Sequence, residues 1–277
     1  MSAVVTVAGE AAERLVAGGA RLLDVRSPAE HERLGHIPGS WLLPVDLIPS
    51  APGLLRDRAA PVLVYCEHGV RSRVAAEFLA RAGFTAVHDL AGGMSRWRGA
   101  REHGPGLLRG PCSWLLENAD LLPGGGRVLD VACGHGRHAL LLAGAGYEVE
   151  AVDRDREALA FVAEPAAALG LRVATRELDL EAGEPDLRDQ AFDVVLVVHY
   201  LHRPLFRALT RALAPGGLLV YETFTREQVR VSRPTNPAFL LEPGELPGLC
   251  AGLEVVRRRE GQFEGRHVAG VVARRGA

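Results

Sequence analysis

The stretch Arg127-Val128-Leu129-Asp130-Val131-Ala132-Cys133-Gly134-His135-Gly136-Arg137-His138-Ala139 constrains the fold more than any other. Val128, Leu129 and Val131 form a short apolar run between Gly124-Gly125-Gly126 and Gly134. That pattern predicts a parallel strand buried on both faces. Gly134 and Gly136 predict a tight turn whose backbone comes close to a ligand. A helix over roughly 137–145 then aims its free amides at that ligand. A cofactor is expected at the end of this strand.

Downstream, strand and helix patterns alternate. Strands are expected over 147–152, ending at Asp153, then over 171–176, 192–198 and 218–222. Helices are expected over 155–169, interrupted near Pro165, and over 204–213. Runs at 253–259 and 267–274 predict a closing hairpin. Alternating βα units imply a doubly wound parallel sheet, with the hairpin adding an antiparallel strand at one edge. Ligands bind such sheets beyond the strand C-termini at the switch point, so Asp130, Asp153 and Asp179 should converge there. Gly134-x-Gly136-x-x-Ala139 also fits a relaxed dinucleotide fingerprint, which keeps an NAD-binding domain as an alternative. The acid four residues before the first glycine and the terminal hairpin point elsewhere.

The first hundred residues contain a second strand–loop–helix. Apolar 61–65 runs into Cys66-Glu67-His68-Gly69-Val70-Arg71-Ser72. A helix is expected over 74–82, with Val74, Phe78 and Leu79 on one side, ending at Gly83. Loop amides and a helix N-terminus stabilise an anion and favour a thiolate on Cys66. Arg71 and Arg73 are expected to add positive charge at the mouth. Glu67 would oppose the thiolate unless it points away.

Leu23-Asp24-Val25-Arg26, Gly35-His36-Ile37-Pro38-Gly39-Ser40, Cys66-x-His68-Gly69-Val70-Arg71-Ser72 and Leu90-Ala91-Gly92-Gly93-Met94 with Trp97 resemble a single-domain rhodanese over residues 1–102. The resemblance implies a small α/β sulfurtransferase domain in which Cys66 carries a persulfide. The six residues from Cys66 to Arg71 match the sulfurtransferase loop, the related phosphatases having a longer one. Asp24, Arg26 and His36 are read as structural.

Val128-Leu129-Asp130-x-x-Cys133-Gly134-x-Gly136, Val152-Asp153, Asp179-Leu180-Glu181, Phe192-Asp193-Val194-Val195 and Leu213-Ala214-Pro215-Gly216-Gly217 resemble the class I S-adenosylmethionine-dependent methyltransferases over residues 108–277. This implies S-adenosylmethionine as cofactor. Gly134 and Gly136 would back its methionine part, Asp130 would order the ammonium end, Asp153 the ribose, and Asp179 and Leu180 the adenine. His199, after the fourth strand, is the candidate general base, with Glu222 as a second. Residues 234–237 form a candidate lid, and Asp193 is read as structural.

The net charge of −2 gives no argument for a nucleic-acid or membrane partner. All 32 basic residues are arginine, which excludes Schiff-base lysine chemistry. Cys66, Cys112, Cys133 and Cys250 lack metal or disulfide spacing, and no leader or membrane span is visible. A cytoplasmic enzyme is expected, its oligomeric state unspecified, with a charged, Gly/Pro-rich linker over 100–106. The reading is a bifunctional transferase. It moves sulfur from a small donor through Cys66 and methylates a small acceptor, a thiol or another chalcogen. The alternative is a methyltransferase regulated by a non-catalytic, persulfide-sensing rhodanese module.

Overall fold

The computed structural model describes residues 4–55, 57–104 and 111–277. They pack as two units, within residues 1–121 and 122–277.

In the first unit five strands pair in parallel throughout: β1 (Val5–Val7), β2 (Arg21–Asp24), β3 (Trp41–Leu42), β4 (Val62–Tyr65) and β5 (Val87–Leu90), in the order β1-β5-β4-β2-β3. The apolar run at 62–65 makes β4 the fully buried central strand. The helices are α1 (Glu10–Ala17), α2 (Pro28–Leu34), α3 (Ala51–Leu54), α4 (Val70–Arg81) and α5 (Ser113–Glu117). Ser27 and Glu30 close a capping box that starts α2.

Two expectations need correction here. Helix α4 begins at Val70, not near 74, because Gly69 takes a left-handed φ of 88° and ends the loop. The early start sets the helix phase. Ser72, Ala75, Ala76 and Leu79 are buried, and Val74 is exposed. The expected linker is also partly anchored. Arg101 donates to the Met94 carbonyl at 2.6 Å, and Glu102 bridges His36. Pro105, Gly106 and the boundary placed at 108 lie outside the described residues. Helix α5 packs on the turn at 45–50, and Ala119 lies against Gly53, so this apolar segment belongs to the first unit.

The second unit is a seven-stranded sheet: β6 (Arg127–Val131), β7 (Glu148–Asp153), β8 (Val173–Glu177), β9 (Phe192–Val198), β10 (Leu213–Phe224), β11 (Leu253–Phe263) and β12 (Arg266–Arg275). Their order is β11-β12-β10-β9-β6-β7-β8. Strands β6 to β10 pair in parallel, and the hairpin strand β12 lies antiparallel between β10 and β11. The chain runs outward from β6 through β7 to β8, then restarts at β9 on the other side of β6. That reversal is the switch point where a ligand site is expected.

Helices α6 (Arg137–Gly144), α7 (Arg156–Ala168), α8 (Phe206–Ala212) and α9 (Glu245–Leu249) complete the unit. Helix α7 runs through Pro165 without interruption, its ring buried on the packed face. Burial there outweighs the lost helical hydrogen bond. Strand β10 starts at Leu213, with a register shift before Leu218. At Gly217 a Cβ would come within 2.9 Å of the Ala214 carbonyl and 3.0 Å of that of Phe192, so glycine lets the chain rejoin the sheet. Among the described residues no helix is long and apolar enough to cross a membrane.

Candidate functional site

Cys66 is the first residue beyond β4 and is buried. The loop is shaped by the turn after β5. The Met94 amide donates to the Cys66 carbonyl at 2.8 Å, and the Ser95 amide to that of Glu67 at 3.0 Å. A Cβ on Gly93 would lie 2.2 Å from the Cys66 carbonyl oxygen, so only glycine permits this approach. With those carbonyls held on one side, the Gly69 amide donates to Cys66 Sγ at 3.1 Å. Burial by itself raises the Cys66 thiol. Hydrogen bonds from Ser72 and from the His68 and Gly69 backbone overcome it, and the thiol sits below its ordinary value.

Glu67 does not oppose the thiolate, because its carboxylate accepts from Arg26 Nη1 at 2.8 Å. Arg26 is fully buried, donates to both Asp24 carboxylate oxygens at 2.9, 3.1 and 2.7 Å, and donates to the Gly35 carbonyl at 2.7 Å. Asp24 also meets His31 Nδ1 at 2.9 Å. This pair buttresses the loop. His36 stacks on His31 and bonds Glu102 at 2.7 Å, a structural position. Arg71 sits in the first turn of α4, bound bidentately by Glu30 at 2.8 and 2.5 Å. Arg73 does not serve the mouth: it donates to Glu77 and Thr6.

In the second unit, Ala132, Gly134 and Gly136 all take positive φ, at 54°, 52° and 70°. A Cβ on Gly136 would come within 2.5 Å of Val162 on α7, whereas one on Gly134 meets nothing within 4 Å. Gly136 thus lets α6 pack on α7, and Gly134 leaves an open backbone surface. Asp153 ends β7 and accepts the Gly134 amide at 2.8 Å and the Asp155 amide at 3.0 Å. Asp130 is buried, and among the described residues its Oδ2 has no hydrogen-bond partner. Burial pushes its carboxyl up to about 7, opposed by the Ala139 amide and Arg137 and aided by Asp153.

A cavity of about 710 Å³ lies at these strand ends. Of the residues expected from sequence, it gathers Asp153, Asp179, Leu180 and His199; Asp130, Gly134 and Gly136 are not in its wall. The Asp179 carboxylate accepts the Glu181 amide at 2.9 Å. The loop residues Pro234, Thr235 and Asn236 form part of the wall. Arg154, Arg233 and Phe239 also line it, without a sequence motif to mark them. Phe239 carries no local signal, because the return of residues 233–239 over the strand ends is a tertiary event.

His199 adopts φ 60°, donates its amide to the Glu222 carbonyl at 2.8 Å and stacks on Phe224 at 4.6 Å. Burial, with Arg137 and Arg266, lowers its imidazole to about 4. Glu222 is not available as a base: it is buried and salt-bridged to Arg259 at 2.5 Å. Asp193 is structural, accepting the Arg127 amide at 2.8 Å. All four cysteines are buried.

Two family models match the chain: a rhodanese-like domain over residues 7–100 and a methyltransferase domain over residues 128–217. The thiosulfate sulfurtransferase GlpE of Pseudomonas paraeruginosa is 38% identical over 96 residues, which is 33% of this chain and 82% of that protein. An uncharacterized protein, YqhL of Bacillus subtilis, is 39% identical over 80 residues, covering 29% of this chain and 62% of its own. The structure of TehB from Haemophilus influenzae aligns with a TM-score of 0.49 and 21% identity, over 60% of this chain and 62% of that one. The NAD alternative for the glycine turn is not favoured, since the methyltransferase match spans that turn. The chain therefore belongs to the rhodanese family through its first unit and carries a methyltransferase domain in its second.

Proposed function

We propose that the chain is a bifunctional transferase, with Cys66 accepting sulfane sulfur and the second unit using S-adenosylmethionine to methylate a small thiol or other chalcogen acceptor. One observation carries each half. For sulfur transfer it is the Cys66 thiol, pulled below its ordinary value by Ser72 and the loop amides. The thiolate attacks the outer sulfur of a donor such as thiosulfate, the substrate named for the Pseudomonas relative. The donor S–S bond breaks, sulfite leaves with the electron pair, and Cys66 holds a persulfide. A nucleophilic acceptor then takes the terminal sulfur and returns the thiolate. The Gly69 amide and the α4 N-terminus stabilise the anion at each stage. Arg71, bound to Glu30, adds positive charge beside them.

For methylation the carrying observation is the cavity at the switch point, walled by Asp153, Asp179 and Leu180. The site fits the cofactor. The partnerless Asp130 oxygen and the open surface at Gly134 suit a cationic amino-acid end, while Gly136 holds the turn. Asp153 keeps acceptor capacity for a ribose diol, and Leu180 with Asp179 offers an apolar and polar frame for a base. When bound, S-adenosylmethionine supplies an electrophilic methyl group on a sulfonium. The protein positions the acceptor and excludes water. His199, neutral and half-buried, would pack against the acceptor from the cavity wall. A thiolate-type acceptor needs little base help.

The test is a product screen with methyl-labelled S-adenosylmethionine, small thiols and chalcogen oxyanions. Label appearing on a thiol or chalcogen product supports the reading, and label appearing only on nitrogen or carbon products refutes the acceptor class. Thiosulfate:cyanide transfer by the full chain tests the other half, with Cys66→Ser as the blank. Turnover that is absent, or indifferent to Cys66, would favour the regulatory alternative.

A further inference from the structure

Forming the Cys66 thiolate releases a proton, and the loop offers it one connected route. Around Cys66 Sγ the loop places backbone amides, which only donate, Gly69 among them at 3.1 Å, and one side-chain hydroxyl, that of Ser72 at 3.5 Å. The Ser72 hydroxyl donates in turn to Asp89 Oδ1 at 2.7 Å. Ser72 is fully buried in α4, and Asp89 is buried on β5. The His68 side chain lines a neighbouring cavity with Arg96 and Arg98 whose wall does not include Cys66. A hydroxyl that gives its proton to a carboxylate turns a lone pair toward the thiol.

We propose that Ser72 and Asp89 form a buried proton relay for Cys66, in which Asp89 is a positioning residue that receives the thiol proton through the Ser72 hydroxyl. The Cys66 S–H bond breaks as a Ser72 O–H bond forms. The original Ser72 proton moves to Asp89, making a carboxylic acid. Thiol and carboxylate become thiolate and acid with no net charge change, so the buried site gains no charge when the nucleophile is made. When a persulfide leaves Cys66 as a thiolate, the same route returns the proton.

The environment supports an acceptor of this kind. Burial raises the Asp89 carboxyl, only partly offset by Ser72 and Arg73, and Glu77 adds to the rise. The charged groups facing the pair are themselves engaged: Arg73 with Glu77, Arg71 with Glu30, and Glu67 with Arg26. His88 alternates to the opposite face of β5, and β1 contributes only Thr6, an uncharged partner of Arg73.

This relay rests on Cys66 being the nucleophile, and its test is independent of sulfur transfer. The full-length protein is alkylated with iodoacetamide across pH 5 to 9, and modification of the Cys66 peptide is followed by mass spectrometry. The relay predicts that Asp89→Asn moves the rate profile to higher pH by about one unit, a roughly tenfold loss near neutral pH. Ser72→Ala gives the same loss, the double variant no more than either, and Ser72→Thr restores the rate. Simple removal of a nearby negative charge predicts the opposite shift, to lower pH. An unchanged profile, a downward shift, or additive losses overturns the relay. Circular dichroism confirms that each variant is folded, and Ser72→Thr with Ser72→Ala decides the case if Asp89→Asn does not fold. If these outcomes hold but Cys66 takes no sulfur from thiosulfate, the relay stands and the persulfide reading fails.

Discussion

Replacing Arg26 with methionine should unfold the first unit far more readily, and the cost follows from the hydrogen bonds that the guanidinium makes. It is fully buried and donates to Asp24, Glu67 and the Gly35 carbonyl. Methionine refills most of the volume but leaves the fully buried Asp24 with His31 and one backbone amide. Breaking a buried ion pair on one side costs about 3–5 kcal/mol. All three tryptophans, Trp41, Trp97 and Trp114, lie in the first unit, so their fluorescence during urea unfolding reads that unit alone. With a urea slope of about 1.5 kcal/mol per M, the midpoint falls by about 2 M or more.

The pH dependence has a definite sign. Burial acts to raise the Asp24 carboxyl, but bonds from His31 and Arg26 hold it below its ordinary value. In the wild type this stability is present above the unfolded value of about 3.9 and lost as pH falls through the folded value. Without Arg26, burial dominates and Asp24 stays protonated, so the variant loses stability as pH rises. The gap between the two proteins is therefore smallest near pH 4 and largest near pH 7. A midpoint shift below about 0.5 M at pH 7 with an unchanged slope, or a gap that narrows as pH rises, refutes the assignment of this pair as the loop's buttress.

Single interactions elsewhere carry further predictions. Glu30→Gln releases Arg71. Arg71, by its hydrogen bonds, is the main cause holding the Glu30 carboxyl at about 2. Because the pair is partly exposed, the stability loss stays under about 1 kcal/mol; that term exists above pH ~4.3 and fades as pH falls through about 2, as acid titration of unfolding would check. Gly136→Ala forces a Cβ within 2.5 Å of Val162 at a positive φ, so the thermal denaturation midpoint should drop, with partial rescue by Val162→Ala. Asp153→Ala removes the acceptor holding the Gly134 amide, and calorimetric affinity for S-adenosylmethionine should fall at least about tenfold, the loss of roughly one charge-assisted bond. His199, with its imidazole lowered to about 4, stays neutral above pH 5. It should put no inflection into the methylation rate between pH 6 and 8, and an inflection near 6.5 that vanishes in His199→Asn would contradict its partly desolvated setting.

Much of this architecture was legible in local patterns. The run Phe192–Val198 is so apolar and β-branched that the strand emerges with its expected bounds, and the glycines at 134 and 136 marked a turn whose φ values require them. What failed locally was decided by packing. Val74 has the right chemistry for a core but faces water, because the loop ending at Gly69 sets the phase of α4. Glu222 sits near the end of β10 beside the site, as a base might, yet Arg259 from the hairpin claims it. The neutralising partner of Glu67 is Arg26, 41 residues away, and Asp89 became visible only when β5 was placed beside β4.

The central claim is that Cys66 carries sulfur, and intact-mass analysis of the full chain after incubation with thiosulfate tests it most directly. The account predicts a gain of one sulfur atom, located on the Cys66 peptide, removed by cyanide and absent from Cys66→Ser. An unmodified Cys66, or an added sulfur that survives in Cys66→Ser, would contradict it.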